Sequence, residues 1–164
     1  MTEIEGIVDE LQREYGGDAW YGSSLRDILK GVTAAQAAAR PVPQAHSIWE
    51  LVLHVTAWKR EVASRMQGRP AGEPPEGDWP QAPADGQGTD AAWAQALEAL
   101  QQAQVALLSA AGQLPPSRLH VAVTDPRNRP LGTGVSHYVT LHGIAQHDVY
   151  HAGQIAIIKK ALGL

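Results

Sequence analysis

Residues 141–158 read LHGIAQHDVYHAGQIAII. On a wheel of about 3.6 residues per turn, Ile144, His151, Ile155, Ile158 and Leu162 share one face, and His147 lies at its edge one turn before His151. The spacing predicts a helix from about Val135 to Leu162, closed by Gly163, with Lys159 and Lys160 in the last turn where positive charge suits the helix dipole. The stripe is apolar except where histidine replaces it. Asp148 borders the same face on the side opposite His147, and Gln154 lies beside both rings.

Upstream, Ser47-Ile-Trp-Glu50 forms a capping box, and the helix it opens runs to about Gln67. Ile48, Leu51, Val52, Val55, Trp58, Val62 and Met66 form its apolar stripe, with His54 on the margin between Leu51 and Trp58. An earlier helix over residues 3–15 places Ile4, Ile7, Val8, Leu11 and Tyr15 together and breaks at Gly16-Gly17. A shorter piece is expected from Trp20 to Gly31, and Thr33–Gln36 is a second capping box, stopped by Pro41 and Pro43. Thr89 or Asp90 caps a further helix to about Gln113, with Trp93, Leu97, Leu100, Leu107, Leu108 and Ala111 inward.

Residues 68–88 hold five Gly and five Pro and form a long loop, with Trp79 as either an anchor or part of a plain linker. Residues 115–134 are irregular. Val121–Thr124 can form a short extended stretch, and Asp125-Pro126 and Gly132–Gly134 are turn signals. No segment reads as a convincing strand, so four long helices predict an all-α bundle.

At 164 residues the chain is expected to form one domain. Hydrophobic residues make up 44%, enough for a core, but there is no Phe, so aliphatic side chains and five Trp must fill it. A net charge of −4 with scattered Lys and Arg argues against nucleic acid or an anionic membrane surface as partner. The absence of Cys removes disulfides, thiolate nucleophiles and thiolate metal sites. Without a leader-like start or a run of about 20 apolar residues, the cytoplasm is the expected location.

Histidines four residues apart on a helix have Cβ atoms about 6 Å apart, close enough to share an ion. If the His54 helix faces the His147–His151 helix, three imidazoles meet. Three neutral nitrogen donors leave positions open for a ligand, the arrangement of a catalytic rather than a structural site. Asp148 or Gln154 can orient a ring from behind, while a solvated carboxylate is the plainer role for Asp148. His46, His120, His137 and His142 have no such reading. His142 is rotated about 140° away from His151.

Ser47–His54 followed by Trp58-Lys59, together with His147–Ile155, resembles the paired helix signatures of the DinB-like (damage-inducible) superfamily. The likeness spans nearly the whole chain, as one DinB-like domain over 1–164. It implies an antiparallel four-helix bundle with a long crossover connection. It also implies a metal site on His54, His147 and His151 for nickel or zinc, with iron and manganese as further candidates, and a homodimer. Family activities differ: some members transfer low-molecular-weight thiols to electrophiles or use one as an isomerase cofactor, others are metal-dependent hydrolases. Thiol transfer on a small-molecule substrate is the leading expectation. Hydrolysis by water at the metal, a non-enzymatic metal-binding or stress-associated dimer, and a metal-free bundle with hydrogen-bonded histidines are the alternatives. No Glu adjoins a ligand as in His-Glu-x-x-His, which disfavours hydrolysis.

Overall fold

The computed structural model describes residues 1–85, 87–123 and 134–164. Its helices are α1 (Glu3–Gly16), α2 (Leu25–Leu29), α3 (Ala34–Ala38), α4 (Ile48–Met66), α5 (Asp90–Gly112) and α6 (His137–Ala161). Among the described residues there is no strand. Ala122 and Ser136 form an isolated antiparallel bridge, beside which Val123 N donates to Val135 O at 2.8 Å. The extended stretch expected at Val121–Thr124 is this bridge as far as Val123. Thr124, Asp125-Pro126 and Gly132-Thr133 lie outside the described residues.

The helix starts follow local chemistry. Ser47 Oγ accepts from Glu50 N at 3.2 Å while the Glu50 carboxylate accepts from Ser47 N at 2.8 Å, and Thr33 and Gln36 close the same reciprocal box on α3. Thr2, Thr89 and Ser136 cap α1, α5 and α6. The helix expected over Trp20–Gly31 is only Leu25–Leu29. Gly22 at φ +133 and the Ser24 cap hold the preceding residues in turns, leaving Trp20 in solvent.

Four long helices close a ring, in which α4 packs on α5 and α6, and α1 packs on the same two. Their apolar residues divide into two clusters. One takes Ile48–Val55 from α4, Trp93–Leu100 from α5 and Ala152–Ile158 from α6, together with α2 and α3. The other takes Ile4–Leu11 from α1, Val62–Met66 from α4, Leu107–Ala111 from α5 and Leu141–Ala145 from α6. Along the chain α4 and α5 therefore run from the first cluster to the second, while α6 runs back. Two successive helices with one direction require a crossover, which the 67–89 connection supplies. Among the described residues no helix is long and apolar enough to cross a membrane.

Between the clusters, each long helix contributes a buried polar side chain: Glu14, Lys59, Gln104 and Asp148. Lys59 occupies the inward position read from the sequence as belonging to Trp58, which is only half-buried. Buried α5 residues include Ala96, Ala103 and Ala110, small side chains that let α5 approach its neighbours closely.

Candidate metal centre

His54 lies in the N-terminal half of α4, and His147 and His151 lie on successive turns of α6, which packs against it. The ring centroids are 4.9 Å apart for His54 and His147, 4.7 Å for His54 and His151, and 4.4 Å for His147 and His151. One ligand atom from each lies within 4.8 Å of the other two. The structure thus brings together all three sequence-predicted ligands.

Each ring has its outer nitrogen engaged. His54 Nδ1 donates to the backbone oxygen of Asp78 at 2.6 Å, His151 Nδ1 to Gln154 Oε1 at 2.8 Å, and His147 Nδ1 to Asp148 Oδ1 at 3.3 Å. These partners are acceptors, so they select the tautomer with hydrogen on Nδ1 and leave the Nε2 lone pairs free. The Nε2 atoms of His54 and His147 stand 2.9 Å apart. Burial, above all, lowers the pKa of His54 and takes His151 down to about 4, so both rings are neutral at pH 7. Imidazoles with outward hydrogen bonds to acceptors and converging inner nitrogens fit a divalent ion. Gln154 stands behind His151, in the position from which the sequence expects it to orient a ring. Asp148 stands in the same way behind His147, and is wholly buried rather than a solvated carboxylate.

The crossover loop roofs this site. A turn from Pro74 ends at Gly77, whose φ of +86 suits glycine, and delivers the Asp78 carbonyl to His54. The Asp78 carboxylate accepts from Trp58 Nε1 at 2.7 Å. Trp79 is an anchor, stacked between His54 at 4.0 Å and His46 at 3.5 Å with interplanar angles of 9° and 5°. His46 is thus a wall of the loop's seat as well as the residue before a cap. A cavity of about 160 Å³ touches His147, Trp58 and Thr140, and one of about 290 Å³ lies beside His46, Gln154 and Leu51.

His120, His137 and His142 stay away from the triad, with Glu3, the Val121 carbonyl and Glu10 as their partners. Sequence reading missed Asp78, because a loop has no periodicity to place it. It also missed Lys59, Glu14 and Gln104, although each interrupts an apolar stripe at an inward position.

A helical bundle in which two buried imidazoles and one half-buried imidazole converge on one point defines a protein able to hold a metal ion. A family model for the DinB superfamily matches residues 20–155, and the chain belongs to that superfamily. No curated protein and no solved structure matches it.

Proposed function

We propose that the protein is a metal-dependent enzyme that activates a small thiol for transfer to an organic electrophile. The observation that carries this reading is the convergence of one ring nitrogen from each of three imidazoles, with no carboxylate in the group among the described residues. Asp78 and Asp148, the carboxylates against these rings, stand on the Nδ1 sides of His54 and His147. Metal-dependent hydrolases of the His-Glu-x-x-His kind pair the metal with a carboxylate general base, and no carboxylate stands in that position here. A thiol starts at a pKa of about 8.5, far below water, so it asks less of the cation to become the anion near neutral pH, its proton passing to solvent.

When bound, a divalent cation supplies Lewis acidity, which brings a thiol or water that it holds to the anion near neutral pH. His54, His147 and His151 would hold it. Asp78, Asp148 and Gln154 keep the rings aligned, and Trp79 covers His54 and keeps water from that face. The cavities beside His147 and Gln154, walled by Trp58 and Leu51, offer apolar room for an electrophile's carbon skeleton.

The test is to incubate tag-free protein, loaded with nickel or zinc, with each of several cellular thiols and monochlorobimane. Metal-dependent conjugation that is lost in His147→Ala supports thiol transfer. Metal-dependent cleavage of ester or amide substrates without conjugation would replace it with hydrolysis.

A further inference from the structure

The four polar residues between the apolar clusters meet at one ammonium. Lys59 Nζ donates to Glu14 Oε1 at 3.0 Å and to Gln104 Oε1 at 2.5 Å, and it forms an ion pair with Asp148 Oδ2. Gln104 Nε2 in turn donates to the Leu11 carbonyl at 2.7 Å. Lys59 and Asp148 are both completely buried. Burial alone would drive the ammonium towards its neutral form. Asp148 and then Glu14 outweigh that and hold its pKa above the ordinary value.

A buried ion pair is seldom the most stable filling of a core, since similar-sized apolar groups avoid the desolvation cost. Its place here is informative. The oxygen of Asp148 not taken by Lys59 accepts from His147 Nδ1. A continuous path therefore runs from Lys59 through Asp148 to the His147 ring, with Gln104 and Glu14 lying off it on the other side of the ammonium. His54 and His151 have different supports, a backbone carbonyl and a neutral amide.

We propose that Lys59 is a positioning residue of the metal centre: by pinning Asp148 it sets the ring plane and Nδ1-protonated tautomer of His147, so that Nε2 of His147 faces the other two rings. This rests on the metal-centre reading above. Orienting groups behind metal ligands typically change affinity by about 10–100-fold when removed. Gln104 supplies the control, because it bonds Lys59 and α1 without touching Asp148.

The experiment titrates the tag-free full chain with Co(II) and reads affinity and visible ligand-field bands for wild type, Lys59→Met and Gln104→Met. Lys59→Met is expected to weaken cobalt binding about 10–100-fold and to shift the bands. Gln104→Met is expected to lower the melting temperature with affinity and bands unchanged. A Lys59→Met protein with wild-type affinity and bands overturns the inference and leaves the metal centre standing. A wild type that binds no cobalt overturns both. Should Lys59→Met not fold, the double variant Lys59→Met/Asp148→Asn removes the bare charge and is expected to show the same weakening. Wild-type affinity in that double variant overturns the inference.

Discussion

The Nε2 atoms of His54 and His147 stand 2.9 Å apart where α4 packs against α6. Their Nδ1 hydrogens are committed to Asp78 and Asp148, so two lone pairs face each other. That approach is unfavourable between neutral rings unless a cation or a proton lies between them. Burial takes the pKa of nearby His151 down to about 4, so that ring is neutral at pH 7 and brings no proton of its own.

Loading the site should therefore stabilise the fold. A ligand that binds only the native state adds about 2.7 kcal/mol at a concentration 100 times its Kd. For a chain of this size that raises Tm by roughly 5–10 °C. Nickel or zinc added to chelator-treated protein is expected to give this shift in calorimetry. His54→Ala, His147→Ala and His151→Ala are each expected to lose it.

Trp79→Ala removes the ring between His46 and His54. Aromatic pairs contribute about 0.5–1.5 kcal/mol beyond area burial. Without either stack, the loop over residues 68–88 should release from the bundle more often. Faster limited proteolysis there, with a near-unchanged far-UV spectrum, is the expected outcome. A cleavage rate equal to wild type would show that the stack does not hold the loop.

Glu14 links stability to pH. Its carboxyl faces Lys59 and Asp148, its backbone oxygen accepts from the Tyr21 hydroxyl, and burial followed by Asp148 pushes the carboxyl up to about 8 from an ordinary 4.5. The folded state thus keeps a proton that the unfolded chain releases between those values. Its contribution is complete below about pH 4.5 and is lost as pH rises through about 8. Glu14→Gln keeps a neutral, hydrogen-bonding side chain at every pH. Urea unfolding of metal-free protein from pH 5 to 9 should show wild type losing stability relative to Glu14→Gln as pH rises. A constant difference would mean that Glu14 is ionised throughout.

Gly88 supports the same loop at its far end. A Cβ there would meet the Trp49 ring at 2.5 Å, and Trp49 is buried against Trp93. Gly88→Ala is expected to cost about 1–3 kcal/mol, the usual range for overpacking. Thermal melts would register it. Gly72→Ala serves as the comparison, since its nearest neighbour lies at 4.0 Å.

Much of this molecule is legible in its residue order. Capping boxes at Thr33 and Ser47 act over three residues, so sequence alone places those helix starts. The stripes on α4 and α6 carry the core face, and histidines interrupting that face mark the candidate ligands, because helical period converts spacing directly into direction. The polar side chains of Glu14, Lys59, Gln104 and Asp148 are visible in the same way, as breaks in apolar stripes. For Glu14, Lys59 and Gln104 their meaning is not, since a lone Lys among apolar residues reads equally as a solvated edge. Only packing brings one side chain from each long helix to a single ammonium. The crossover loop is the extreme case: neither the Asp78 carbonyl on His54 nor the Trp79 stack follows from any local pattern. Local hydrogen bonds and periodicity are written along the chain, whereas partners separated by many residues are chosen by how the helices and their connections fill the space between them.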